Sequence, residues 1–90
     1  MKFLAVSTNT KDVSPFLAAE AQRLNELRAA GTITGAWVKA DFSGAALILE
    51  CADAAEATAA LNTLPIAANH ATDIVLTEII DFDSVQPAVG

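Results

Sequence analysis

The sequence predicts an α+β domain of the ferredoxin-like type, βαββαβ, with one antiparallel sheet backed by two helices. Three observations predict it. Two stretches of helical periodicity are flanked and separated by four short strand-like runs. Each helical stretch carries start and stop residues at its ends. The two middle strand-like runs are joined by Ser43-Gly44, a linker suited to a tight hairpin. The chain has 90 residues, a one-domain length, and 53% are hydrophobic against 18% charged, so it can bury a core. The domain is read over residues 1–82, followed by a loosely held C-terminal tail over 83–90 that contains Pro87.

The elements follow in order. Residues 2–8 form an apolar run that ends in polar turn residues, a first strand. Residues 13–30 switch to helical periodicity. Ser14-Pro15 supplies an N-cap with proline at the first helical position, and Gly31 supplies the stop. Val13, Phe16, Leu17, Leu24 and Leu27 fall on one stripe at roughly 100° per residue. Residues 32–42 are rich in β-branched and aromatic types and 45–51 are almost wholly apolar, giving the hairpin. Asp53-Ala54-Ala55-Glu56 resembles a capping box and opens a second helix that runs to Leu64 and ends at Pro65. Residues 66–72 have no clear period and read as a loop, and 73–82 return to strand character.

Two helices cover one face of a four-stranded sheet, yet the strands do not alternate cleanly between apolar and polar. In Ala45-Ala46-Leu47-Ile48-Leu49 both faces are apolar. A chain this short is marginal as a monomer, and neither a disulfide nor a metal cluster is visible to help it. The expected cover is a second copy of the same sheet, making the protein a homodimer or higher oligomer.

Composition excludes several classes. Eleven acidic against five basic residues give a net charge of −6. Lys2, Lys11, Arg23, Arg28 and Lys39 are scattered, so the clustered cations that nucleic acid requires are missing. The longest apolar runs fall far short of the ~20 residues of a membrane span. The first residues are too short a run for a signal-peptide core, so a soluble cytoplasmic protein is expected. Cys51 is alone and has no cationic neighbour in sequence to activate it, which suits a small core residue.

Among residues that carry chemistry, Glu20 is the most informative, because it lies near the middle of the apolar stripe of the first helix. Burial there favours the neutral carboxyl and lifts its pKa toward the range useful for proton transfer. The competing readings are a structural ion pair with Lys39 or Arg23, and a side chain that reaches solvent at the stripe edge. Strict alternation puts Ile33, Gly35, Trp37, Lys39 and Asp41 on one face of the second strand, and Thr34, Ala36, Val38, Ala40 and Phe42 on the other. The second set suits packing against helices. In the first, Trp37, Lys39 and Asp41 are placed to line a pocket, with Trp37 and Lys39 the candidates to bind a substrate; the competing reading has Trp37 packing at a dimer interface and Lys39 and Asp41 near a solvated hairpin end. His70, the single histidine, lies in the loop before the last strand. It is solvated in the plainest reading and joins Trp37 and Lys39 as a binding candidate. Glu50 and Glu78 sit in strands and read equally as surface charges. No metal-ligand spacing, nucleophilic triad or nucleotide loop is present, so any catalysis is expected to use few groups and no cofactor.

Several runs resemble the muconolactone isomerase-like proteins of the dimeric α+β barrel superfamily. They are the opening Met1-Lys2-Phe3-Leu4, the helix ending Leu24-Asn25-Glu26-Leu27-Arg28-Ala29-Ala30-Gly31, and the strand Gly35-Ala36-Trp37-Val38-Lys39-Ala40-Asp41. The run from Gly44 to Cys51 and the turn Leu61-Asn62-Thr63-Leu64-Pro65-Ile66 extend the likeness over about residues 1–82. The resemblance implies a ferredoxin-like protomer whose sheet faces a second copy and closes a barrel. It also implies a cofactor-independent isomerase that shifts a proton on a small unsaturated lactone or ketone. In an ungapped alignment on Gly31 the family's mid-helix glutamate falls on Glu20 and a strand aromatic on Trp37; the proton-shuttle role carries over to Glu20 only. The family's basic and aromatic surroundings are reduced here to Trp37 and Lys39, which implies a different small, apolar or lactone-like ligand. A non-catalytic binding or interaction module of the same fold is the alternative.

Overall fold

The structure, a computed structural model, describes residues 1–89. Strand β1 (Lys2–Asn9) leads through a short 3-10 turn (Ser14–Phe16) into helix α1 (Leu17–Ala29). Strands β2 (Ile33–Val38) and β3 (Ala45–Glu50) form the hairpin. Helices α2 (Ala54–Leu61) and α3 (Pro65–Ala68), strand β4 (Thr72–Ile79) and helix α4 (Phe82–Val89) complete the chain. The four strands make one antiparallel sheet in the order β2-β3-β1-β4, as the βαββαβ reading requires.

The sheet has two unlike faces. On the face covered by the helices, Phe3, Ile33 and Leu49 are the largest fully buried side chains. Leu27 of α1 and Ala57 and Leu61 of α2 close over them, with Leu24, Ala36, Ile74 and Leu76 packed at the margin. The opposite face is apolar too. The registers place Leu4 beside Ile48 and Thr77, Val6 beside Ala46 and Val75, and Trp37 beside Ala46. Here Trp37 is 60% and Val75 67% exposed.

Several boundaries differ from the sequence reading for identifiable reasons. The Ser14 hydroxyl does not cap α1. Instead Asp12 Oδ1 accepts from both the amide and the hydroxyl of Ser14, at 3.0 and 2.7 Å, and a 3-10 turn intervenes before the α-helix. Gly31 does end the helix, with φ of +81°. The strict alternation in β2 breaks between Ile33 and Gly35, where an irregularity in the ladder pairs Ile33 with Leu49 and Gly35 with Ile48. Ile33 is therefore buried in the core and does not share a face with Trp37. Half of the capping box at α2 is present: Asp53 Oδ1 accepts from Glu56 N at 2.8 Å, but the Glu56 carboxylate accepts from Ala52 N at 3.2 Å, one residue ahead of the cap, instead of from Asp53 N. Helix α2 stops at Leu61 rather than Leu64, so Pro65 does not end it. The proline holds Leu64 extended and occupies the first position of α3, so part of the stretch read as a loop is helical. The last strand stops at Ile79 because its partner Lys2 is where β1 begins. The stretch read as a C-terminal tail forms α4, started by a turn in which the Ser84 amide and hydroxyl both donate to Asp81 O. Gly90 lies outside the described residues. Among the described residues no helix is long and apolar enough to cross a membrane.

The hairpin connection is also longer than Ser43-Gly44. It spans the residues between Val38 and Ala45, with Phe42 at φ of +60°. Asp41 Oδ1 accepts from the amide and the hydroxyl of Ser43, at 3.0 and 2.6 Å, the same local pattern as Asp12 and Ser14. Gly44 then crosses β1 so closely that a Cβ placed on it would stand 1.8 Å from the Ser7 carbonyl oxygen. Gly44→Ala is expected to force two backbones apart and to destabilise the protein by about 1–3 kcal/mol. A thermal melt checks this, and an unchanged midpoint would mean that the loop does not rest on β1.

Candidate active site

Helix α1 changes its task along its length. Leu27 packs into the core and Leu24 lies at its margin, whereas Leu17 and Glu20, with Val13 ahead of the helix, face a cavity of about 520 Å³ between the helices and the sheet that Leu24 also borders. This volume lies in the range of sites that hold small organic molecules. The hollow follows from side-chain size. Phe3, Ile33 and Leu49 fill one end of the layer, whereas Ala5, Gly44, Ala45 and Ala67 line the other. The twin Asp-Ser turns lie by its mouth, and Phe42, thrown out by its positive φ, sits on the rim.

Glu20 is half-buried on this wall. Its Oε1 accepts a hydrogen bond of 3.0 Å from the Ile66 amide. That amide is free because Ile66 stands in the first turn of α3, where backbone donors have no partner within the helix. Among the described residues Glu20 forms no ion pair. Both ion-pair alternatives are overturned: Arg23 bonds to Thr63 Oγ1 at 3.0 Å and to Glu26 at 3.3 Å, and Lys39 Nζ bonds to Thr8 Oγ1 at 3.0 Å. Burial raises the Glu20 pKa above its ordinary value, and the Ile66 amide opposes this in part by favouring the carboxylate. The result is a carboxyl group on a mostly apolar wall without an ion-pair partner among the described residues, in a cavity that Lys11 and Asp12 also line.

The other sequence candidates lie elsewhere in the protomer. Trp37 lies on the open face of the sheet, its ring over Gly35, where a Cβ would come within 2.7 Å of the indole. The Lys39 side chain reaches Thr8 beside that same open face, away from Glu20. Asp41 belongs to the hairpin turn, and its bonds from Ser43 hold its pKa below the usual value. His70 is exposed at φ of +55°, and its amide donates to Ala67 O at the end of α3. Cys51 is buried in the core and burial pushes its thiol pKa up, in keeping with a packing role. Among the described residues no group of His, Cys, Asp or Glu is arranged to hold a metal.

Sequence reasoning missed Ser7, Asn9 and Thr72, which form the polar part of the cavity floor. Their signal was faint, although the repeated Asp-x-Ser at 12–14 and 41–43 marked both turns beside the mouth.

No protein-family model and no curated protein sequence matches the chain significantly. Comparison with solved structures does find likenesses. A 5-chloro-2-hydroxyhydroquinone dehydrochlorinase from Burkholderia phenoliruptrix, in complex with 2,5-dihydroxybenzoquinone, superposes with a TM-score of 0.79 at 16% identity, covering 93% of this chain and 98% of that one. Muconolactone isomerase superposes with a TM-score of 0.78 at 19% identity, covering 93% of each chain. At such identities the likeness concerns the backbone. The order and pairing of the strands, and the helices laid on one face, give this chain the muconolactone isomerase-like fold.

Proposed function

We propose that the protein is a cofactor-independent enzyme that shifts a proton on a small unsaturated lactone or ketone, with Glu20 as the acid–base group. The observation that carries this reading is the half-buried Glu20 carboxyl, free of any ion pair among the described residues, on the wall of an apolar cavity. Ionised, it removes a proton from the carbon beside the carbonyl, and the electron pair of that C–H bond moves into an enolate. Protonated, it returns the proton to a different carbon of the conjugated system. Its raised pKa brings the two forms closer in population near neutrality, which general acid–base work requires. The two structural neighbours lend support, since one is an isomerase of a lactone and the other a dehydrochlorinase of a chlorinated hydroquinone, both acting on small ring compounds.

We further propose that the chain self-associates through the open sheet face. The apolar side chains there, Trp37 and Val75 most exposed, have the composition of an interface centre.

Incubation with a panel of unsaturated lactones and enones in deuterated water, followed by NMR, tests the catalytic reading. Exchange into one compound is expected. Binding of panel members without exchange into any of them would leave the alternative, a small-ligand binding module, which the apolar lining of the cavity also fits.

A further inference from the structure

We propose that Phe42 is the aromatic face of the cavity, the side chain against which a planar unsaturated ring lies at the mouth. This role rests on the reading of the cavity as a small-molecule site and adds the residue that selects the shape of the ligand.

Two features of Phe42 are unfavourable for the fold. It is 80% exposed, the most open of the large hydrophobic residues among the described residues. Its backbone stands at φ of +60°, in the left-handed region, where a bulky side chain is strained and Gly, Asn or Asp is at ease. His70, the other non-glycine residue with positive φ, belongs to a type that tolerates it. The bonds that build the hairpin loop make no use of the phenyl ring. The Phe42 amide donates to Lys39 O at 2.8 Å, Lys39 N to Gly44 O at 2.9 Å, and Asn9 N to Ser43 O at 2.6 Å. An Asn at this position would make the same turn with less strain and without an exposed ring.

The cavity gives the ring a use. Phe42 lines it, and among the described residues no other aromatic does. Leu17 of α1 and Val38 of β2 line it too and are likewise exposed, so apolar side chains open to solvent border the mouth. The loop also holds the ring in place. Asp41 Oδ1 binds the amide and hydroxyl of Ser43, and Ser43 is tied to β1, so the backbone is pinned on both sides of Phe42. Only the side-chain bonds of Phe42 are left to order when a ligand engages it, which keeps the cost of binding low. A conjugated lactone or enone is flat, and the enolate formed from it stays flat. A phenyl ring meets such a surface in offset or edge-to-face contact, a gain that a puckered saturated ring of the same size does not share.

The test titrates phenol and cyclohexanol, a flat ring and its puckered counterpart, into the wild type, Phe42→Leu and Phe42→Asn. Binding is read from the NMR shifts of cavity-lining amides such as that of Ala67. The wild type is expected to favour phenol by roughly 2–10-fold, the worth of one aromatic contact. Phe42→Leu keeps the apolar bulk, so the preference should fall by that factor while cyclohexanol binding stays unchanged. Phe42→Asn should lose the preference too and melt no lower than the wild type, because Asn suits the left-handed backbone. A wild type without the preference, or a Phe42→Leu protein that retains it, overturns the role of Phe42 and leaves the reading of the cavity intact. A Phe42→Asn protein that melts several degrees lower, or sediments as a smaller species than the wild type, also overturns it, by making the ring a packing or an interface group. Failure of both probes to shift the cavity amides of the wild type overturns the proposal together with the reading of the cavity.

Discussion

Glu20→Gln is expected to slow proton exchange on the true substrate by about 10²–10⁴-fold, the usual worth of a general acid–base group, without loss of stability. The amide keeps the length of the side chain and can still accept from Ile66 N. Stability should also respond to pH in a defined direction. The folded-state pKa of Glu20 lies above its ordinary 4.5, so the folded form holds the proton more tightly than the unfolded chain. Its contribution to stability is therefore full below pH 4.5 and is lost as pH rises through the folded-state value. Gln does not titrate. The melting temperature of the variant should match the wild type at acid pH and equal or exceed it at pH 8. Thermal melts across that range, beside the exchange assay, check both halves. A variant that is several degrees less stable at pH 8 would make the carboxylate structural, and one with full activity would remove it from the chemistry.

The second large effect is expected on the open sheet face. Trp37→Glu places a charge where the proposed partner would bury an indole. Buried aromatic anchors are typically worth about 2–4 kcal/mol, so dissociation should become roughly 30- to 1,000-fold easier. In the protomer Trp37 is 60% exposed, and its loss alone should leave the fold in place. Analytical ultracentrifugation should therefore show a dimer or larger species for the wild type and a folded monomer for the variant. The wild-type melting temperature should also rise with protein concentration, as it does for any associating chain. A wild type that sediments as a stable monomer at micromolar concentration would defeat the proposal.

The parts of the fold written in repeating patterns were legible. The stripe of α1 placed Glu20 among the inward-facing residues, and its side chain does turn toward the helix-covered side. The Asp53 cap and the Gly31 stop bound their helices as the residue types require. What escaped was structure set by contacts between segments distant in sequence. Helix α3 is too short to show a period, yet its Ile66 amide is what holds Glu20. The cavity arises because small residues from β1, β3 and α3 converge, and no single window of sequence shows convergence. Thr72 read as the last residue of a loop because its partner, Asn9, lies on the first strand.

The irregularity in β2 bears on how the lineage of this chain can vary in length. Opposite Leu49 and Ile48, β2 offers three residues, Ile33, Thr34 and Gly35, so Thr34 has no counterpart across the ladder. A genetic deletion of Thr34 would leave Ile33 opposite Leu49 and Gly35 opposite Ile48, with every later side chain on its present face. Loss of one residue from the regular stretch between Gly35 and Val38 would instead invert everything on one side of the gap. Trp37 would then exchange places with Ala36 or Val38, and the open sheet face would carry residues that now face the helices. Insertions and deletions should therefore gather at Thr34 among descendants that keep both surfaces.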